Sequence, residues 1–153
     1  MLVIHDWYGL LPHVRAACDE LAADLRARLG GGPVGVLGWS LGGMFALLQA
    51  TTGTVDAAAV YYAALDSDDA AKLRCPVLLH LAETDEFDPP ELYDGFVAAL
   101  RAAGTGVEVH TWPGTEHSFA NRDVALHAPA AAAEAWSITL GFLRERLAGG
   151  ASG

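Results

Sequence analysis

The sequence has 153 residues, 52% of them hydrophobic and 18% charged, which suffices for one compact core but not for two ordinary domains. We therefore expect a single domain over residues 1–148 and a flexible tail over 149–153. The formal net charge of -10 disfavours nucleic-acid and anionic-membrane partners, because a negative field repels phosphate groups.

The cysteine pattern and the N-terminus indicate a reduced, intracellular environment. Cys18 and Cys75 stand far apart and belong to no motif with metal-ligand spacing, so we predict core thiols and no metal site. The first residues lack the basic region and long apolar run of a secretory signal. No stretch reaches the ~20 apolar residues that a membrane span requires. These features predict a cytoplasmic protein without a membrane partner.

Short apolar runs alternate with longer stretches of helical periodicity along the chain. This alternation predicts the α/β class, with a mostly parallel sheet of about five strands, helices on both faces and a ligand site beyond the carboxyl ends of the strands. The expected strands are Leu2–Ile4, Val34–Leu37, Ala57–Tyr62, Val77–Leu81 and Val107–His110. The expected helices are Val14–Leu29, Leu41–Ala50, Pro90–Ala103 and Pro129–Leu147.

The segment Val34–Gly43 combines a strand, a G-x-S-x-G sequence centred on Ser40 and the start of a helix. This order is typical of a nucleophile elbow, where a tight turn holds a serine in a strained backbone conformation. Small residues at Gly38 and Gly42 leave room for the flanking chain. The Leu41 amide and the helix dipole could then stabilise an oxyanion. A glycine turn at a helix start, without catalytic function, is the alternative.

A carboxylate and a histidine are expected to follow such a serine in the chain. Asp85 comes just after the predicted strand Val77–Leu81, where its side chain could reach back to an imidazole. Glu83, Glu86 and Asp88 are its rivals in the same loop. Any of these carboxylates could instead be a solvated loop charge or a residue before a helix.

His117 is the candidate general base, because it lies in the turn-rich segment Trp112–Phe119 after the last predicted strand. A loop histidine is better placed for proton transfer than one inside a strand. The remaining histidines have structural interpretations: packed or hydrogen-bonded strand positions for His80 and His110, and surface positions near helix starts for His13 and His127.

Several segments in this order resemble the dienelactone hydrolase family over nearly the whole chain. The resemblance implies a reduced α/β-hydrolase fold, cofactor-independent hydrolysis of small esters or lactones, and an oxyanion hole made by the amides of Leu41 and Trp7. The segments that carry it are Val3–Leu10, Pro12–Arg15, the Ser40 elbow, Tyr61–Tyr62, the Asp85 loop and Gly114–Ala120.

The sequence also departs from the family pattern. The family often has a cysteine nucleophile contacted by an acidic residue of the first loop, whereas this chain has Ser40 and, at the acidic position, Asp6. Asn121 replaces the family's arginine, and Arg122 follows one place later as either a carboxylate contact or a surface charge. Members usually carry a further strand and helix before the elbow strand. We therefore expect a shortened member of the family. Its first residue is either an internal methionine or the start of a genuinely truncated protein.

The resulting hypothesis is acyl transfer through a covalent Ser40 intermediate, with a small-molecule substrate and no metal or cofactor. A thioesterase or acyltransferase with the same triad and a catalytically silent binding protein are the alternatives. A shortened sheet would leave Leu2–Ile4 near an exposed edge, so a homodimer is a further hypothesis. Candidate substrate contacts, of which the aromatic ones fit core packing equally well, are His5, Asp6, Tyr8, Trp39, Phe119 and Arg122.

Overall fold

A computed structural model describes residues 23–148 except Leu25 and Leu29. Helical residues at 23–24 and 26–28 come first and are followed by a turn at 30–31. Strands and helices then alternate along the chain. They are β1 (Gly35–Trp39), α1 (Leu41–Ala50), β2 (Ala57–Tyr61), α2 (Ser67–Ala70), β3 (Val77–Thr84), α3 (Pro90–Ala102), β4 (Val107–Glu116) and α4 (Pro129–Leu147).

The four described strands form one parallel sheet in the order β1-β2-β3-β4. Since each crossover between neighbouring parallel strands is right-handed, the helices that connect them belong on the same face of the sheet. Core contacts agree: α1, α2 and α3 pack with one set of strand side chains, and α4 packs with the other set. Because the four strands are parallel, their carboxyl ends lie at one edge of the sheet, and the candidate site lies at that edge.

Burial on both faces explains why the strands are apolar without alternation. Every residue of β2 is buried. Its side chains Val60 and Tyr61 point to opposite faces, Val60 into the cluster with α1 and α3 and Tyr61 into the cluster with α4. The α/β class, the parallel sheet and helices on both faces are confirmed. The Leu2–Ile4 strand, Cys18 and the 149–153 tail lie outside the described residues.

Two elements differ from their predictions. β4 continues through Pro113 and Gly114 to Glu116, because its pairing with β3 extends beyond an irregularity in register to Thr84 and Glu116. The predicted loop before His117 is therefore mostly strand. The short helix α2 was not predicted, since its polar sequence reads as a loop; Asp66 caps it by accepting a hydrogen bond from the Asp69 amide.

Neither a candidate membrane span nor a cluster of metal ligands occurs among the described residues. None of the helices between residues 23 and 148 combines the length and apolar character that a membrane crossing requires. The same part of the chain brings no three metal-ligating His, Cys, Asp or Glu side chains together. Cys75 is buried, and burial raises the pKa of its thiol to about 11.

A buried polar network ties α4 to the sheet through His80. Trp112 Nε1 donates to His80 Nδ1 at 3.2 Å, so the imidazole proton lies on Nε2, which donates to Thr139 Oγ1 at 3.0 Å. Thr139 also exchanges a 2.8 Å hydrogen bond with the Tyr61 hydroxyl. The prediction that His80 is packed and hydrogen-bonded is confirmed.

His80 is expected to make folding sensitive to acid. Burial, together with the nearby His110, lowers the pKa of His80 from 6.5 to about 3. Between these pH values the unfolded chain binds a proton at His80 that the folded chain excludes. The free energy of unfolding therefore decreases as the pH is lowered, by up to ~1.4 kcal/mol per pH unit. Urea unfolding from pH 7 to 4 should show a shallower slope for His80→Gln, although that variant starts less stable. Equal slopes for the two proteins would contradict the assignment.

Candidate active site

Ser40 occupies the turn between β1 and α1 in a backbone conformation that L-residues rarely adopt. Its φ is 51° and its ψ is -128°, and its amide donates to the Tyr61 carbonyl at 2.9 Å. The structure thus gives Ser40 the strained strand-to-helix turn that the sequence predicts. As the residue before the helix, Ser40 stands beside the amide of Leu41, which as the first residue of α1 has no acceptor within the helix.

Close backbone packing explains the glycines of this turn. A Cβ at Gly38 would lie 2.3 Å from the Gly42 carbonyl oxygen and 2.7 Å from the Gly43 Cα. A Cβ at Gly43 would lie 2.7 Å from the Ala63 Cβ. The sequence pattern predicts that position 38 requires a small residue, and the structure agrees. The pattern does not predict that position 43 requires glycine, because the contact there comes from Ala63, which follows a different strand.

Ser40, His117 and Asp85 form a continuous hydrogen-bonded chain. Ser40 Oγ lies 2.8 Å from His117 Nε2, and His117 Nδ1 lies 2.9 and 2.8 Å from the two carboxylate oxygens of Asp85. The Asp85 and His117 side chains are only 4% and 7% exposed. The three residues follow three parallel strands, β1, β3 and β4, and therefore meet at the carboxyl edge of the sheet.

Asp85 is held as a carboxylate by the donors around it. Burial opposes ionisation, but hydrogen bonds from His117, from the amides of Asp88 and Phe87 and from the Tyr93 hydroxyl together hold its pKa below the usual value. Both amides donate to Oδ1, at 3.1 and 3.0 Å, and Tyr93 donates to Oδ2 at 2.9 Å. An ionised Asp85 can fix the tautomer of His117 that leaves Nε2 free to accept a proton.

The rivals of Asp85 have other positions. Glu83 accepts a hydrogen bond from the Gly114 amide at 2.8 Å, and Glu86 is exposed. Asp88 lies near the Tyr93 hydroxyl at 3.3 Å. Burial, followed by the charge of Asp85, raises the pKa of Asp88. Only Asp85 among these carboxylates has a described hydrogen bond to His117.

Two aromatic rings contact the imidazole of His117. The Tyr62 and Phe87 ring centroids each lie 4.7 Å from that of His117. Tyr62 is buried at the end of β2 with a positive φ of 39°, whereas Phe87 is 67% exposed. Neither contact was predicted, because both residues are remote from His117 in sequence.

A cavity of about 390 Å³ opens beside Ser40. Two of the predicted substrate contacts, Trp39 and Arg122, line it. Phe119 does not line it, because this side chain is fully buried and packs against Trp112 and Tyr62. The prediction that Phe119 contacts the substrate is therefore corrected: Phe119 is a core residue. Lining residues that sequence reasoning missed are Tyr62, Ser118, Ala120, Asn121 and Asp123. The candidates His5, Asp6, Trp7 and Tyr8 lie outside the described residues.

Comparison with known proteins decides the family. Residues 22–147 match the model of the dienelactone hydrolase family. The chain belongs to the dienelactone hydrolase family. A carboxymethylenebutenolidase of Pseudomonas putida is 33% identical over 119 residues, which cover 73% of this chain and 48% of that protein. An Azospirillum brasilense protein classed as a carboxymethylenebutenolidase is 34% identical over 110 residues, covering 70% and 47%.

Solved structures show the same fold. A Klebsiella pneumoniae structure classed as a dienelactone hydrolase aligns with a TM-score of 0.77 at 25% identity, over 86% of this chain and 60% of that one. Esterase 2 of Thermogutta terrifontis, solved in a form phosphorylated by paraoxon, aligns with a TM-score of 0.70 at 17% identity, over 86% and 63%. This dienelactone hydrolase family chain spans about half the length of the curated relatives it matches.

Proposed function

We propose that this chain is a serine hydrolase that cleaves small carboxylic esters or lactones through an acyl-enzyme intermediate. The hydrogen-bonded chain from Ser40 through His117 to Asp85 is the observation that carries the proposal. The base His117 is within hydrogen-bond distance of both the nucleophile and the orienting acid, which is the arrangement that acyl transfer by serine requires. Membership of the dienelactone hydrolase family supports the same reaction class.

In the proposed reaction, His117 Nε2 takes the Ser40 proton as Oγ bonds to the substrate carbonyl carbon. The carbon–oxygen bond to the alcohol then breaks, and His117 returns the proton to the leaving oxygen. In the second half, His117 takes a proton from water, the hydroxide attacks the acyl carbon, and Ser40 leaves with the proton. The ester is thus converted into an acid and an alcohol, and Asp85 stabilises the transient imidazolium.

We assign the oxyanion hole to the backbone amides of Leu41 and Trp7. The position of Leu41 at the first residue of α1 supports its part, because its amide and the positive end of the helix dipole both favour negative charge. The part of Trp7 rests on the family resemblance. No metal or organic cofactor is assigned a step.

The cavity beside Ser40 supports a small substrate with a polar portion. Its volume of about 390 Å³ suits a small molecule, and Trp39 supplies an apolar wall while Arg122 supplies a positive charge. We propose Trp39 and Arg122 as substrate contacts on this basis.

Arg122→Gln is expected to lower the preference for negatively charged esters. Loss of the guanidinium should reduce the ratio of kcat/KM for a carboxylate-bearing ester to that for a neutral ester by about tenfold. The ratio should be measured beside Arg101→Gln, which removes a charge of the same sign from the end of α3. An equal change of the ratio in both variants would show a general charge effect and contradict the contact.

The proposed function is tested by mixing the protein with p-nitrophenyl acetate in a rapid-mixing instrument. We expect a burst of one p-nitrophenolate per chain, followed by slower turnover, and an acetyl group on the Ser40 peptide. Turnover without an acetylated serine would contradict the mechanism. Faster reaction of acyl thioesters, or transfer of the acetyl group to added alcohols, would favour the thioesterase or acyltransferase alternatives.

The cytoplasmic location and the homodimer stay predictions. For the dimer, light scattering at two protein concentrations should give a mass that rises towards twice that of one chain. A monomer mass independent of concentration would count against it.

A further inference from the structure

A second carboxylate and a tyrosine lie beside Asp85, outside the reaction described above. The Tyr93 hydroxyl is 2.9 Å from Asp85 Oδ2 and 3.3 Å from Asp88 Oδ2. A phenol has a single proton, so Tyr93 can donate to only one of these carboxylates at a time, and the shorter distance favours Asp85. The two carboxylates are thus linked through one hydroxyl.

Tyr93 is well fixed to act on Asp85. It lies on the first turn of α3, is 6% exposed and belongs to the core between α3 and the sheet. Burial, together with its hydrogen bond to Asp85, raises the pKa of its hydroxyl, so Tyr93 keeps its proton as a donor. The Asp85 loop is also closed by the amides of Phe87 and Asp88, which donate to Oδ1. Of the donors Phe87, Asp88 and Tyr93, only Tyr93 donates to Oδ2 of Asp85.

Neither Tyr93 nor Asp88 lines the cavity beside Ser40. Both line a different, smaller cavity of about 180 Å³ between β3 and α3, together with the far side of Asp85. Substrate in the larger cavity would therefore not touch them. Any effect of these two residues on the reaction must pass through Asp85 and His117.

We propose that Tyr93 is a positioning residue that holds the Asp85 carboxylate against His117. The proposal deepens the proposed function and rests on it for its kinetic consequence. Tyr93 fixes the orientation of Asp85, whose two carboxylate oxygens lie 2.9 and 2.8 Å from His117 Nδ1.

Tyr93→Phe tests positioning. Loss of the donor to Oδ2 should lower kcat for p-nitrophenyl acetate by about tenfold, with KM changed less than about twofold. Tyr61→Phe is the matched control, because it also removes a buried tyrosine hydroxyl, here one bound to Thr139. A similar loss of kcat in both variants, or a rise of KM equal to the loss of kcat, would overturn the role of Tyr93.

Failure of the proposed function has a different signature. If the wild-type protein hydrolyses no ester, the proposed function fails. The rate at which a fluorophosphonate probe labels Ser40 in wild type and in Tyr93→Phe needs no ester turnover, and slower labelling of the variant would still support the positioning role. A normal wild-type rate with unaffected kcat in Tyr93→Phe would contradict the positioning role and leave the proposed function intact.

Discussion

Ser40→Ala is expected to lower the rate of ester hydrolysis by about four to six orders of magnitude. The variant removes the oxygen that forms the covalent bond, so the cavity and the neighbouring amides could contribute only the small residual rate seen when a nucleophile is lost. The measurement is p-nitrophenyl acetate hydrolysis with protein whose folding has been checked by circular dichroism. Ser137→Ala, on the exposed side of α4, is the matched control.

Stability distinguishes this loss from misfolding. Ser40 contributes little to the core, and its hydroxyl bonds to His117 at the surface of a cavity. Thermal unfolding of Ser40→Ala should therefore stay close to that of the wild type. A variant that retains more than about a tenth of the rate while folded would show that another group performs the reaction.

Gly38→Ala is expected to destabilise the fold by about 3 kcal/mol and to abolish activity with it. The added Cβ would lie 2.3 Å from the Gly42 carbonyl oxygen and 2.6 Å from its carbon, and these backbone atoms cannot turn aside as a side chain could. The strand-to-helix turn would have to open, and Ser40 would move away from His117. Urea unfolding and ester hydrolysis measure the two effects.

Gly95→Ala provides the matched control for that prediction. Gly95 lies on the exposed side of α3, and an added Cβ there meets nothing within 4 Å. Alanine should stabilise this helix by about 0.5 to 1 kcal/mol. Similar urea midpoints for the two alanine variants would mean that the close approach at Gly38 does not constrain the turn.

Features set by local sequence were predictable. The alternation of apolar runs and helical stretches led to the parallel sheet, because each strand and helix carries its own periodicity. The elbow was predictable for the same reason, since the strand, the glycines and Ser40 lie within ten residues. Asp85 could be located because it follows a predicted strand of the same parallel sheet, and His117 because it lies in a turn-rich segment after the last predicted strand.

Features set by packing between distant segments were not predictable. Tyr62 and Phe87 contact His117 only because the ends of β2, β3 and β4 converge. Phe119 follows the histidine closely in sequence, which suggested a substrate contact, but the turn after His117 directs it into the core, where it packs against Trp112. The sequence alone carries no signal for which side of such a turn faces the cavity.

The extent of β4 and the contact from Tyr93 show the same limit. Pro113 and Gly114 normally indicate a turn, but pairing with β3 keeps this segment extended up to Glu116. The Tyr93 hydroxyl reaches Asp85 from the first turn of α3, eight residues further along the chain. That contact depends on how the helix leaves the loop, which no short sequence pattern specifies.

The central claim is that Ser40 is a nucleophile activated by His117. Its most direct test is incubation of the folded protein with a fluorophosphonate probe, followed by peptide mass analysis. We expect one phosphonyl group per chain, located on Ser40, and no labelling of His117→Ala on the same time scale, because an unactivated serine reacts slowly. Folded wild-type protein that stays unlabelled, or that is labelled at another residue, would contradict the claim and favour a binding protein.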